Sequence, residues 1–210
     1  MKYKSILILI IAAEMTACQQ KDDFETSESD DDIITKVEQF VGISDDTDLA
    51  NLPTSATYIK EQSLKGENTS PYGYIVRKPE GFSSDGLKYP ILVYLHGAGS
   101  RGNSENNPTD INKVDKDGAI RAIKIGLWNP KVAMPVFAPQ SSTQWNASNV
   151  KSFINYLINT YPNAINTSRI YLSGFSMGAM GTWTYLDKYG YENSLIAAVV
   201  SSIVRTATPF

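Results

Sequence analysis

The stretch Ile170-Tyr171-Leu172-Ser173-Gly174-Phe175-Ser176-Met177-Gly178-Ala179-Met180-Gly181 decides the fold. Its first part is an apolar run that reads as a buried strand, and the residues from Met177 to Tyr189 read as a helix. Between them, Gly174, Ser176 and Gly178 make the pattern Gly-x-Ser-x-Gly. Chance puts that pattern in about one 200-residue chain in fifteen at ordinary glycine and serine usage, so its position must carry the argument. A sharp bend between strand and helix forces the serine into a strained backbone and leaves no room for side chains two residues before or after it. The hydroxyl is then lifted into the open at the carboxyl end of the sheet, facing the positive end of the following helix. The competing reading is a plain strand–turn–helix whose glycines only permit tight packing.

A second glycine-rich segment, Tyr94-Leu95-His96-Gly97-Ala98-Gly99-Ser100-Arg101-Gly102, follows the continuous apolar run Tyr89–Leu95. Such a run suits a parallel strand buried on both faces. If Ser176 is a nucleophile, acyl transfer creates an oxyanion, and each backbone N–H aimed at it contributes about 3–4 kcal/mol. Met177 N–H is one candidate donor; Ala98 N–H, with Gly99, is the other. A phosphate cradle is disfavoured, because no helix or Lys-Ser/Thr pair follows at the required spacing.

Outward from these motifs, strands and helices alternate. Thr57–Leu64 and Tyr72–Lys78 read as strands joined by a glycine-containing turn. Residues 97–116 lack periodicity and read as a long loop. Asp117–Leu127 reads as a helix stopped before Pro130, and Met134–Ala138 as a strand closed by Pro139. Asn149–Tyr161 is an amphipathic helix, Arg169–Leu172 a strand and Leu195–Val204 another. The alternation implies an α/β fold: a mostly parallel sheet with helices on both faces.

The two motifs, the lead-in Tyr89-Pro90-Ile91-Leu92-Val93-Tyr94-Leu95-His96-Gly97, the segment Ala138-Pro139-Gln140 and the strand Arg169-Ile170-Tyr171 together resemble the α/β-hydrolase superfamily. Within it, they resemble the secreted esterase and "predicted peptidase" group that includes feruloyl and acetylxylan esterases and polyhydroxybutyrate depolymerases. The likeness runs from about residue 72 to about residue 200. It implies an α/β-hydrolase fold and hydrolysis of carboxylic esters, such as acylated polysaccharide or a small ester, through an acyl-enzyme on Ser176. A histidine would take the serine proton and an acid would orient that histidine. A serine peptidase of the same fold is the alternative, since no residue here separates amide from ester cleavage. The resemblance implies no cofactor.

The same resemblance places the triad acid after a seventh strand and the histidine after an eighth. The chain, by this reading, stops at or just after the sixth, so the expectation is an α/β-hydrolase domain with its last strands missing. His96 is the chain's one histidine. In the family the His of His-Gly is structural and helps hold the loop. The other reading makes His96 the base, because the third and fifth strands are neighbours and triads are recognised by geometry. Asp110, Asp115 and Asp117 are read as loop solvation and helix capping. Ile196–Val200 is expected to leave an apolar sheet edge without a neighbour. A third functional reading follows: a surface binding protein or gene fragment without catalysis. Trp145 has two readings, lining a substrate pocket or packing.

Residues 1–17 read as a signal peptide, with Lys2 and Lys4 before the apolar run Ile6–Ala13. That run is shorter than the ~20 residues a bilayer span needs. Met15-Thr16-Ala17-Cys18 resembles a bacterial lipobox, which implies a lipidated Cys18, membrane attachment through it and an outer-membrane or cell-surface location. The acidic stretch after it resembles the export signal of surface lipoproteins in Bacteroides-type bacteria; it also reads as a solvated tether. Residues 18–54 are taken as that tether with a short helix, and 55–210 as the catalytic domain. The formal net charge is −3; residues 1–17 carry a net +1, leaving about −4. That mild acidity gives no footprint for nucleic acid. With one histidine and one cysteine, no metal-ligand set is visible.

Overall fold

The computed structural model describes residues 46–190, with the backbone of 7–8 and 198–202. Cys18, the short helix expected in the tether, most of the tether and the ending 205–210 lie outside the described residues.

Among the described residues the sheet has seven strands: the two-residue Leu7–Ile8 at one edge, and β1 (Tyr58–Ser63), β2 (Gly73–Pro79), β3 (Tyr89–Leu95), β4 (Val136–Gln140), β5 (Ile165–Phe175) and β6 (Ala198–Ser202). Across the sheet the numbered strands run β1-β2-β4-β3-β5-β6. The pairs β1–β2 and β2–β4 are antiparallel; β4–β3, β3–β5 and β5–β6 are parallel. Among the described residues three α-helices accompany it: α1 (Gly118–Lys124), α2 (Ala147–Thr160) and α3 (Met177–Tyr189).

Burial on both faces follows from strand geometry, where successive side chains alternate. In β3, Tyr89, Ile91, Val93 and Leu95 join a core with Phe153, Ile154 and Leu157 of α2 and Tyr185 of α3. Leu92 and Tyr94 face the other way, toward Ile120 of α1 and Ile111 and Val114. The same alternation divides Tyr74 and Val76 from Ile75 in β2, and Phe137 from Val136 and Ala138 in β4. Strand β3 is therefore apolar throughout because it is central. Helix α2 starts where Asn146 accepts hydrogen bonds from the N–H groups of Ser148 and Asn149, satisfying donors that a helix start leaves open.

Four sequence expectations change. The loop read over 97–116 contains two 3₁₀ helices, Ala98–Ser100 and Pro108–Lys116. Ile111 and Val114, three apart, point inward in the second one, the period of a 3₁₀ turn. Pro139 lies inside β4 rather than closing it. The β3–β4 ladder ends at Phe137, so Pro139 sits where the strand has a ladder on one side only, a setting that tolerates a missing N–H. Residues 46–54 pack onto the domain instead of extending the tether: Asp46–Leu49 is a 3₁₀ helix, Leu49 and Leu52 enter the core, and Asp46 and Asp48 pair with Arg169. Finally, β6 has a neighbour on its outer edge. A two-residue strand, Leu7–Ile8, pairs with it in parallel, Leu7 to Ala198 and Ile8 to Val199.

Candidate active site

Ser176 joins β5 to α3. Its backbone sits at φ 52° and ψ −113°, a region that an L-residue with a side chain occupies at a cost of order 1–3 kcal/mol. The glycines on either side explain why the chain stays there. A Cβ on Gly174 would collide with the carbonyl of Gly178, and a Cβ on Gly178 would collide with the carbonyl of Leu95. The first turn of α3 thus lies directly on the ends of β5 and β3. Ser176 is half-buried, its side chain does not cap the helix, and Met177 behind it is buried. Strand order β1-β2-β4-β3-β5-β6, with a strained serine between the fifth strand and its helix, fixes the architecture. This is the α/β-hydrolase fold.

The glycine-rich loop after β3 lies against that turn. A Cβ on Gly97 would come within 3.2 Å of the Phe175 ring and 3.5 Å of its carbonyl oxygen. Ala98 and Gly99 are exposed beyond it, and neither donates its backbone N–H to another backbone group among the described residues. Arg101 closes the turn, donating from Nε to Met177 Sδ at 3.2 Å. The four residues Ala98, Gly99, Ser176 and Met177 are thereby gathered at the carboxyl end of β3 and β5.

His96 is fully buried. Its Nδ1 is 2.7 Å from Gly97 O and its Nε2 is 3.0 Å from Ser141 N. A carbonyl oxygen can only accept and an amide N–H can only donate, so Nδ1 carries the hydrogen and Nε2 accepts. Both nitrogens are committed to backbone, and the ring is neutral. Burial holds its pKa below the usual 6.5, against the raising effects of the Gly97 carbonyl and the Asp117 charge; the Arg101 charge lowers it further. Of the two readings of His96, the geometry agrees with the structural one, because neither nitrogen is free to accept the serine proton.

The pocket reading of Trp145 is corrected. It is buried in the core, its indole N–H donates to His96 O at 3.1 Å, and its ring meets the imidazole edge-on at 4.9 Å. Gly181 of α3 packs on it so closely that a Cβ there would be 2.6 Å from Trp145 Cβ. It packs; it does not line a pocket.

Sequence reasoning missed the residues that hold the loop. Asp117, read as a helix cap, makes no side-chain cap bond. Its carboxylate instead accepts from Gly97 N–H and Ser100 Oγ, each at 3.3 Å, and from the Tyr94 hydroxyl at 3.2 Å. Burial, then the Asp117 charge, pushes the Tyr94 hydroxyl pKa up, keeping it a donor. Gln140 donates from Nε2 to Ser100 O at 3.2 Å and Asp110 O at 2.6 Å. Asp110 in turn accepts from Asn103 N–H at 3.0 Å. Asp115, the third acid, turns away from the site toward Arg77 at 2.8 Å, Lys124 at 3.3 Å and Lys60 at 3.4 Å. Nothing in the spacing of three similar acids separates these roles; only the fold does.

No family model and no curated protein matches the chain. Among solved structures, a thermostable esterase is 26% identical over 68% of this chain and 40% of its own, with a TM-score of 0.43. A ferulic acid esterase is 19% identical over 75% of this chain and 63% of its own, with a TM-score of 0.43. An acetyl xylan esterase from Aspergillus awamori is 19% identical over 70% of this chain and 52% of its own, with a TM-score of 0.42. The chain spans between 40% and 63% of the length of these structures.

Proposed function

We propose that this polypeptide acts on carboxylic esters as a serine hydrolase, with Ser176 as nucleophile and the N–H groups of Met177 and Ala98, with Gly99 beside them, as the oxyanion site. The observation that carries this reading is the strained Ser176 backbone at the start of α3, φ 52° and ψ −113°, held between two glycines that have no room for a side chain. In the reaction, the Ser176 hydroxyl oxygen bonds to the ester carbonyl carbon, its proton passes through a general base to the departing alcohol oxygen, and water then displaces the acyl group from Ser176. The tetrahedral oxyanion is met by amide hydrogens and the helix end, and collapse expels the alcohol. His96 is committed, so this reading gives it no proton-transfer role. The substrates proposed are acylated polysaccharide or a similar extracellular ester. A fluorophosphonate probe should label the chain and fail to label Ser176→Ala; equal labelling of both would remove Ser176 from the chemistry. Turnover of nitrophenyl acetate beside a peptide anilide separates esterase from peptidase.

One observation favours a second reading. With both His96 nitrogens bound to backbone, the described residues offer Ser176 no histidine base, which suits a surface protein that binds acylated carbohydrate without turning it over. Binding of an acylated xylo-oligosaccharide with no acid released would support it. We also propose lipid attachment at Cys18; incorporation of labelled palmitate that Cys18→Ala abolishes would support it, and incorporation unaffected by that change would reject it.

A further inference from the structure

Arg101 is the one charged residue of the loop 97–102, and its position is fixed. Its backbone N–H donates to Ala98 O at 3.3 Å, and the next residue, Gly102, donates to Ser141 O at 3.3 Å. Its side chain is half-buried and lies on the elbow through the Nε bond to Met177 Sδ. That bond uses one of five guanidinium hydrogens. Among the described residues the side chain has no other hydrogen bond and no ion pair. The acids of the neighbouring loop are engaged elsewhere: Glu105 with Lys65 at 3.2 Å, Asp110 with Lys113 at 2.8 Å and with Asn103 N–H, Asp117 with Gly97, Ser100 and Tyr94. Gly99, two residues before Arg101, opens onto empty space.

A planar cation without a counter-charge among the described residues, bonded to the elbow through Met177, suits a carboxylate, which its forked N–H donors can pair in a bidentate way. We propose that Arg101 is a specificity residue that selects esters carrying a second, ionised carboxylate near the scissile bond, on either the acyl or the alcohol half. The proposal rests on the serine-hydrolase reading, and names the substrate class that reading leaves open. The Nε–Met177 bond orients the fork, and the Nη groups pair with the substrate carboxylate. The positive end of α3 adds to the attraction.

Arylboronic acids test it on the 210-residue chain, because they form a tetrahedral adduct with a nucleophilic serine and need no turnover. The dissociation constants of 3-carboxyphenylboronic acid and its neutral isostere 3-carbamoylphenylboronic acid are compared by calorimetry. The carboxylate is expected to bind about tenfold tighter, the worth of a charge-assisted pair at a half-buried site. In Arg101→Gln that ratio should fall to about one, and Arg101→Lys should keep part of it. High salt should shrink the wild-type ratio. A wild-type ratio of one, or a ratio that survives in Arg101→Gln, overturns the proposal. If both compounds lose affinity equally in Arg101→Gln, Arg101 serves the oxyanion rather than the substrate, and the proposal is again overturned. Loss of both adducts in Ser176→Ala, with the ratio intact in wild type, upholds the hydrolase reading independently. If neither compound binds wild type, that reading fails and this one falls with it.

Discussion

The elbow at 174–178 and the loop at 97–117 meet at one end of the sheet, yet they are held by different forces. The elbow is steric. Gly174 and Gly178 let backbone touch backbone, and the whole device fits within five consecutive residues plus the end of β3. The loop is polar. Its shape depends on Asp117, Gln140, Ser141 and Trp145, whose hydrogen bonds span 17 to 49 residues of sequence. Steric devices fail abruptly when an atom is added, whereas polar ones fail by degrees as partners are removed.

The largest expected effect tests the steric half. Gly178→Ala drives a Cβ into the Leu95 carbonyl, a backbone atom in the central strand that has nowhere to go. A loss of about 3 kcal/mol or more, or failure to fold, is expected. Gly99→Ala, in open space, should stay within about 0.5 kcal/mol. Thermal melts of the pair measure the contrast, and similar losses in both would break it.

Next comes the polar half. Asp117→Ala strips the acceptor from Gly97 N–H, Ser100 and Tyr94, and should cost about 2–4 kcal/mol in denaturant unfolding. Asp117→Asn, which keeps an acceptor oxygen, should cost less. Equal losses would mean that charge alone, and not the bonds, holds the loop.

The imidazole supplies a pH test. Its folded pKa lies below the unfolded value near 6.5, so the unfolded chain takes up the proton first. Stability from this group is therefore complete above pH 6.5 and drains as pH falls through the lower folded value, with a slope of up to about 1.4 kcal/mol per unit. Asp110 and Asp115, whose folded pKa values are held below the ordinary carboxylate value, lose their contribution only in more acid solution. His96→Gln should flatten the curve between pH 5 and 7 and leave the acid limb; an unchanged curve there would show that the ring is not sealed.

The smallest effect sharpens the picture. Trp145→Phe keeps most of the packing and removes one N–H from His96 O, so about 1 kcal/mol is expected in the same unfolding assay. A loss several times larger would place Trp145 with the steric devices instead.

This division also explains what the sequence made legible. Met177–Tyr189 and Tyr89–Leu95 match the helix and strand read from the chain residue for residue, because central burial leaves an unbroken apolar run and the elbow is encoded locally. Strand β5 runs from Ile165, earlier than the read start at Arg169, since Asn166, Thr167 and Ser168 carry no apolar signal. The helix at Pro108–Lys116 went unread because its two inward residues repeat every three, where a search for α-helical spacing finds nothing. The three loop acids looked alike in sequence. Asp117 differs from Asp115 only in facing Gly97 rather than Arg77, a distinction made by tertiary geometry.

A single imidazole with a locked tautomer gives the molecule a built-in gauge. Its ring protons yield one set of magnetic-resonance signals that need no assignment. While the loop after β3 stays closed, those signals should remain still across neutral pH and exchange slowly with solvent. The moment at which they begin to move reports the opening of that loop, whatever becomes of the helices elsewhere.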